Sequence, residues 1–223
     1  MDNIYPNNQS ASDRNRLFIT CGGNSGQSLI AGQVVCEAIQ TYFHSFLEND
    51  KEISFDFIEK SIRFGEISLE DFKKENPETK NASTTLCLIF FAPDNVYFSQ
   101  IGKSHIYQIR NNRIIYKSID ASLDRKIHGI AKSVEVNAIQ IKDIQAQDQF
   151  FIYAGEFSAV QDEESVCQIL SENTSPENKL SKIKEIYLNK MRSGFSAHLV
   201  PIRDINEPLN LKEKLNYLLY SFV

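Results

Sequence analysis

Residues 148–157, with the sequence DQFFIYAGEF, decide the fold of this chain. The stretch consists of an acidic residue, an uninterrupted apolar and aromatic run, and then Ala154-Gly155-Glu156. A short apolar run bounded by turn-forming residues is typical of a buried β-strand. The turn after such a strand is where α/β and α+β enzymes often carry their chemistry. Here that turn contains Gly155, which has no side chain that could bind a metal or move a proton.

The composition is that of an ordinary globular protein of 223 residues, of which 42% are hydrophobic and 24% are charged. This length predicts a single domain with a sizeable core. The formal charge of −5 gives no electrostatic reason to expect binding to nucleic acid or to an anionic membrane.

Four cysteines stand far apart and form neither a CxxC motif nor a Cys/His pair with metal-ligand spacing. Reduced thiols of this kind are typical of a cytosolic protein. No apolar run approaches the roughly 18 residues of a membrane span, and the polar N-terminus lacks the apolar core of a signal peptide. We therefore expect a cytoplasmic protein. The cysteines are Cys21, Cys36, Cys87 and Cys167.

A glycine-rich loop follows the first predicted strand, at residues 17–20. Residues 21–26 read CGGNSG, and three glycines in so short a run require an unusual backbone. Cys21 is a candidate for an activated thiolate, and the loop is a candidate for a phosphate cradle. The loop matches neither a P-loop nor a GxGxxG fingerprint, and no base or arginine accompanies the cysteine. A small residue at a strand end is the favoured interpretation of Cys21.

Two helices are predicted next, because apolar residues recur at three- and four-residue steps through 29–46 and 53–72. Ser25 or Ser28 is a candidate cap for the first helix. Gly65 is expected to weaken or kink the second helix, since glycine is a poor helix former.

The middle of the chain changes to a strand pattern, with Asn111-Asn112 as a hairpin turn suited to positive φ. Two more helices, at 160–170 and 176–191, precede a last strand at 195–202. Two groups of helices among about eight antiparallel strands predict a layered α+β fold. The other predicted strands are 84–91, 96–101, 105–110, 114–116, 134–141 and 149–153.

Blocks of sequence in a fixed order resemble the PPM or type 2C family of metal-dependent serine/threonine protein phosphatases. Family members read approximately (L/F)AVADGMGGH, GTTL, VGDSRAYL, DRLLLCSDGL and RDNxTVVVV. The resemblance implies a four-layer α-β-β-α sandwich of two antiparallel sheets with helices on both outer faces. It places the core of this single domain, residues 1–223, at about 7–202, followed by a C-terminal extension at about 208–222. The counterparts here are residues 17–26, 83–86 (STTL), 101–107 (IGKSHIY), 148–157 and 192–196 (RSGFS).

The resemblance also implies a site for paired Mg²⁺ or Mn²⁺ ions, which activate a bridging water. Position by position, the family's acids are replaced here, while Gly22 keeps the glycine whose carbonyl binds metal. Hard divalent ions need several carboxylates, and each lost charged contact weakens such a site by about 2–4 kcal/mol. A one-residue shift would bring in Glu156 or Asp13 without restoring the set. We expect no cofactor. The replacing residues are Ser10, Cys21, Lys103, Gly155 and Ser193.

The resemblance and the replaced acids together predict a catalytically inactive phosphatase-like protein, a pseudophosphatase, that would act as a binding or regulatory module in phospho-signalling. Its partner would be a protein, such as a kinase or a phosphoprotein. Lys103 could hold a phosphate or a partner carboxylate, or could be a solvated turn lysine. The alternatives are a divergent phosphatase or hydrolase with a noncanonical site, and a structural assembly subunit.

A predicted C-terminal helix, residues 208–222, is the one segment that the resemblance does not explain. Its leucines recur on one face, as in an amphipathic helix. Packing on its own domain is the favoured interpretation, and docking of a partner or a second copy is the functional alternative. The candidate partner-binding residues are Leu211, Leu215, Leu218 and Leu219.

Overall fold

The computed structural model describes ten stretches of the chain. They are residues 4–5, 17–23, 25–47, 54–92, 95–119, 126–129, 135–145, 147–154, 160–190 and 196–202.

Within these stretches the chain forms nine β-strands, four α-helices and a short 3₁₀ turn at Pro77–Thr79. The helices are α1 (Gly26–Leu47), α2 (Phe55–Glu75), α3 (Val160–Leu170) and α4 (Pro176–Lys190). The strands are β1 (Ile4–Tyr5), β2 (Leu17–Gly22), β3 (Thr85–Phe91), β4 (Val96–Ile101), β5 (Ser104–Arg110), β6 (Arg113–Lys117), β7 (Ala138–Ile141), β8 (Gln149–Ala154) and β9 (Ser196–Pro201).

The strands make two antiparallel sheets that lie face to face. Sheet 1 has the order β1-β2-β3-β4-β7, and sheet 2 has the order β6-β5-β8-β9. Helices α1 and α2 cover sheet 1, whereas α3 and α4 cover sheet 2. The predicted α+β fold of two antiparallel sheets flanked by helices is confirmed. None of the helices in the described stretches is long and apolar enough to cross a bilayer.

Three apolar layers hold the sandwich together, and the period-two pattern of the strands assigns each side chain to a layer. In β3, Leu86 and Leu88 face α1 and α2, whereas Cys87 and Ile89 face the other sheet. Every residue of β3 is buried. A continuous apolar run is therefore needed here, because both faces of this central strand are covered.

Strand β8 lies at the centre of sheet 2, between β5 and β9. Phe150 and Ile152 point into the layer between the sheets, and Phe151 and Tyr153 point towards α3 and α4. This division explains why the stretch that opens at Asp148 needs large apolar side chains at successive positions.

Helix α1 begins at one of its two predicted caps, and Gly65 does not disturb helix α2. The Oγ of Ser25 accepts a hydrogen bond from the backbone N of Ser28 at 3.2 Å, so Ser25 caps α1. Helix α2 runs unbroken through Gly65. A Cβ atom at Gly65 would lie 3.2 Å from Cγ1 of Val35, so the missing side chain lets α1 and α2 pack closely.

Strand β7 is shorter than the predicted strand at 134–141, and the prediction is wrong for residues 135–137. Pairing with β4 ends where Ser99 meets Ala138. The hydroxyl of Ser99 then donates to the carbonyl oxygen of Asn137 at 3.1 Å, so a side chain replaces the strand partner. At the N-terminus, Ile4–Tyr5 forms a weak edge strand.

Candidate functional site

One end of the sandwich brings together the ends of strands from both sheets. Cys21, at the end of β2, pairs with Leu86 of β3. In the other sheet, Ala154 of β8 pairs with Ser104 and with Ser196. The hydroxyl of Ser196 donates to the Cys21 carbonyl oxygen at 2.9 Å and so links the two sheets. We call this region the strand-end site; its described residues are Cys21, Gly22, Thr84, Thr85, Gly102, Lys103, Ser104, Ala154 and Ser196.

The carbonyl group of Gly22 is engaged by two hydroxyls of its own chain. Oγ1 of Thr85 donates to it at 3.2 Å, and Oγ1 of Thr84 lies 3.1 Å from it, with the carbonyl oxygen of Thr85 as a second acceptor at 3.0 Å. Both threonines are buried. A hydroxyl has a single proton, so Thr84 shares its bond between two carbonyl groups, whereas Thr85 donates to Gly22. The one metal-binding group that the resemblance retains is thus already hydrogen-bonded.

The thiol of Cys21 lies in the apolar layer between sheet 1 and the helices α1 and α2. The residue is 0% exposed. Burial raises the pKa of this thiol far above its usual range, and a hydrogen bond with Thr84 lowers it only in part. A neutral, enclosed thiol is neither a nucleophile nor a ligand for a hard cation. The geometry favours the interpretation of Cys21 as a small core residue.

Lys103 lies half-buried in the turn between β4 and β5. The turn is shaped by Gly102, whose φ of 74° lies in the region that favours glycine. The following residue, Ser104, is buried and donates its hydroxyl to the carbonyl oxygen of Leu86 at 2.7 Å. Lys103 therefore places a cation at the strand-end site, where the resemblance expects a carboxylate.

The remaining predicted site positions, Ser10, Gly155 and Ser193, lie outside the described residues, as do Asp13 and Glu156. The same holds for the candidate partner-binding leucines Leu211, Leu215, Leu218 and Leu219.

The donor set of the strand-end site does not fit paired Mg²⁺ or Mn²⁺ ions. Such ions require several carboxylate oxygens. The described residues offer a buried thiol, hydroxyls already bonded to carbonyl groups, and the cation of Lys103. Across the ten described stretches, no group of three or more His, Cys, Asp or Glu side chains could hold a metal ion.

The hydroxyls of Thr84, Thr85 and Ser196 are the site features that sequence reasoning missed. Thr84 lies 62 residues from Gly22 in the chain, and Ser196 lies 175 residues from Cys21. The sequence did contain a signal, because threonine and serine residues stand at the starts of two predicted strands. Hydroxyl groups at such positions can reach neighbouring carbonyl groups.

Comparison with known proteins gives structural matches only. No protein-family model matches the chain, and no curated protein sequence matches it. The chain is similar to the serine/threonine phosphatase PstP/Ppp of Mycobacterium tuberculosis, with 17% identity and a TM-score of 0.58 over 78% of this chain and 82% of that chain. The catalytic domain of PstP has also been seen in complex with 2 manganese ions.

Two other bacterial proteins share the architecture. A bacterial serine phosphatase has 14% identity and a TM-score of 0.63 over 86% of this chain and 90% of its own. PppA, a key regulatory component of T6SS in Pseudomonas aeruginosa, has 13% identity and a TM-score of 0.60 over 82% and 84%. Identities at this level establish architecture and leave activity to the residues of the site. This chain has the fold of the PPM-type serine/threonine phosphatases.

Proposed function

We propose that this protein is a pseudophosphatase, a catalytically inactive phosphatase-like chain that serves as a binding or regulatory module in phospho-signalling. The observation that carries the proposal is the state of the Gly22 carbonyl, which accepts a hydrogen bond from Thr85 and lies within hydrogen-bond distance of the Thr84 hydroxyl. A metal ion at this position would have to displace these two hydroxyls. The described residues of the site provide no carboxylate that could bind the ion in their place.

The electrostatics of the site support the same proposal. A divalent cation must regain the free energy of its hydration from negatively charged ligands. The neutral thiol of Cys21 and the positive charge of Lys103 provide none. A cation at the strand-end site suits an anionic group instead, and a phosphorylated side chain of a partner protein has the required charge.

A divergent hydrolase that uses Cys21 is the second candidate, and its chemistry is disfavoured. A cysteine nucleophile reacts as the thiolate and therefore needs a lowered pKa and access to substrate. Cys21 has a raised pKa and is 0% exposed.

We expect the purified protein to hydrolyse neither para-nitrophenyl phosphate nor phosphopeptides above the buffer rate, with Mn²⁺ or Mg²⁺ present. Calorimetric titration with Mn²⁺ should give no binding in the micromolar range, because the site lacks anionic ligands. Clear turnover, or a micromolar dissociation constant for Mn²⁺, would refute the proposal.

A restoring variant provides the matched control. The triple substitution Cys21→Asp, Gly155→Asp and Ser193→Asp returns acids to the positions where the resemblance places them. We expect Mn²⁺ binding to appear in this variant, at reduced stability because position 21 is buried. Cys21→Ser alone should bind no Mn²⁺. A triple variant that keeps the native circular dichroism spectrum and still binds no Mn²⁺ would show that missing acids alone do not explain the loss.

The role of Lys103 can be tested with phosphoserine and phosphothreonine peptides and their unphosphorylated forms, by fluorescence anisotropy. If Lys103 contacts the phosphate, Lys103→Gln should weaken binding about 10- to 150-fold, since a charge-assisted hydrogen bond contributes roughly 1.5–3 kcal/mol. Lys142→Gln is the control, because Lys142 is exposed just after β7, away from the strand-end site. Equal affinity for phosphorylated and unphosphorylated peptides would count against phosphate recognition.

A further inference from the structure

An open apolar groove runs along the outer face of α1 and α2. Ile30 and Val34 of α1 form one wall, and Phe64 and Phe72 of α2 form the other. Its volume is about 740 Å³. Ile30 is 39% exposed and Phe64 is 38% exposed. Large apolar side chains that are exposed side by side in a groove mark a surface that gains free energy when another apolar group covers it.

The groove is not needed for the core of the domain. The face of α1 that meets sheet 1 carries a different set of side chains, including Ala31, Val35 and Ile39, which are fully buried. Helix α1 thus has apolar residues on two sides. A helix that is apolar on its outer side as well is typical of one that is covered there too.

The sequence contains one segment that matches this groove. Among the stretches outside the described residues, 6–16, 48–53 and 120–125 are predominantly polar. Residues 208–222 instead carry leucines at steps of three and four residues. Such spacing puts apolar anchors on one side of a helix, as in peptides that bind grooves between helices. The anchors are Leu211, Leu215, Leu218 and Leu219.

Length and charge are complementary. The groove follows α1 from Ile30 to Thr41, which corresponds to about 16 Å at 1.5 Å per residue. A helical path from Leu211 to Leu219 covers about 12 Å by the same rise. The groove also has an acidic rim, of which Asp71 already pairs with Lys74 at 2.7 Å. The segment carries two lysines and Glu213 between its leucines, a net charge of +1. The rim residues are Glu37, Asp71 and Glu75, and the lysines are Lys212 and Lys214.

The chain leaves the described domain at Ile202, which is bonded to sheet 2 and buried in the layer between the sheets. Strand β9 is an edge strand of sheet 2, and Nε2 of His198 lies 3.1 Å from the carbonyl oxygen of Tyr5 in β1. The hydroxyl of Tyr5 in turn lies 3.3 Å from Nε2 of His44 in α1. The groove lies beyond sheet 1 and the helices, about 20 Å or more from this layer. The nine residue steps from Ile202 to Leu211 span about 30 Å when extended, so the chain can reach it.

We propose that residues 208–222 bind in the groove between α1 and α2 of the same molecule, with the leucines against Ile30, Val34 and Phe64. This interaction surface goes beyond the proposed loss of catalysis and does not depend on it. Bound in this way, the segment covers the outer face of the helical layer and leaves the strand-end site open.

Hydrogen–deuterium exchange on the full-length protein tests the proposal. Backbone amides of 208–222 should exchange about tenfold or more slowly than an unprotected chain, because bound helices protect their amides. Ile30→Asp should remove this protection by placing a charge in the groove. Leu215→Asp changes the segment itself and should also remove its protection. This variant should in addition speed exchange in the α1 and α2 peptides that line the groove.

Ile115→Asp is the matched control, because Ile115 is 46% exposed on the edge strand β6, away from the groove. It should leave the protection of 208–222 unchanged. Light scattering should report a monomer for the wild type. Unprotected amides in the wild-type segment would overturn the proposal. Protection that survives in both Ile30→Asp and Leu215→Asp would overturn it as well. A dimer that Leu215→Asp dissociates would overturn it too, because the segment would then bind a second copy.

Discussion

The Arg110→Met variant should lose about 3–5 kcal/mol of its free energy of unfolding, because it leaves a buried carboxylate without its cation. Asp148, the first residue of the DQFFIYAGEF stretch, is 0% exposed. Its Oδ1 accepts a hydrogen bond from Nε of Arg110 at 2.8 Å, and its Oδ2 accepts from Nη2 at 2.9 Å. Such bidentate pairing is the strongest geometry available to an arginine and a carboxylate.

The remaining contacts of Asp148 cannot replace the arginine. Nε2 of Gln108 and the backbone N of Gln145 donate to the same carboxylate, at 2.8 and 2.9 Å. These groups are neutral and leave its charge uncompensated. Methionine retains most of the apolar stem of Arg110, so the variant removes the charge with little loss of packing.

Urea denaturation at neutral pH measures the effect, and a second acidic residue supplies the control. Asp143 also pairs with Arg110, at 2.8 Å, but its side chain is 72% exposed. Asp143→Ala should therefore cost less than about 1 kcal/mol, as exposed ion pairs do. The double variant Arg110→Met, Asp148→Asn should recover part of the lost stability, because the asparagine is neutral. Equal losses for Arg110→Met and Asp143→Ala would contradict this account.

Stability should fall by about 2 kcal/mol between pH 7 and pH 5 on account of His198 alone, given a slope that approaches 1.4 kcal/mol per pH unit. This histidine in β9 is 1% exposed and contacts the ring of Phe18. Burial lowers its pKa from 6.5 to about 3, although hydrogen bonds with the backbone of Tyr5 and Ile19 oppose the shift.

The direction of the pH effect follows from proton binding. Below pH 6.5 the unfolded chain binds a proton at His198, whereas the folded chain stays neutral there until about pH 3. The contribution of His198 to the free energy of unfolding is therefore fully present above pH 6.5. It is lost progressively as the pH falls from 6.5 towards 3. Most aspartate and glutamate side chains titrate below pH 5, so the interval from pH 7 to 5 separates the histidines from the carboxylates.

Denaturation curves at several pH values between 5 and 7 test this prediction. His198→Leu should flatten the profile over this interval, because leucine cannot bind a proton. His44→Ala should retain the wild-type slope, since His44 lies exposed on α1. A His198→Leu profile as steep as that of the wild type would assign the pH dependence to other groups.

Local patterns in the sequence were sufficient for most of the secondary structure. Helix α3 has the predicted limits, Val160–Leu170, because its apolar spacing and flanking turns are contained within the segment. Asn111 and Asn112 have φ angles of 50° and 56°, as expected for a hairpin turn between β5 and β6. Such features depend on neighbours a few residues away, so a single sequence contains the information.

Contacts between distant residues could not be predicted in this way. Gly65 was expected to disturb α2, yet it serves the close packing of that helix against Val35 of α1. The end of β7 depends on how Ser99 meets Asn137, 38 residues away. Periodicity predicts that a strand has buried faces but does not specify which neighbour ends its pairing.

The sequence patterns by themselves determined a layered α+β fold, because helical and strand periods alternate in blocks along the chain. The resemblance to the phosphatase family added the sandwich of two antiparallel sheets. The sequence also determined that small or cationic residues stand where the resemblance expects acids, among them Cys21, Lys103 and Gly155. Only the tertiary structure decided which groups form hydrogen bonds with the carbonyl of Gly22, the glycine that the resemblance retains. The hydroxyls of Thr84 and Thr85 reach this carbonyl, because the pairing of β2 with β3 brings residues 62 and 63 positions apart into hydrogen-bond distance.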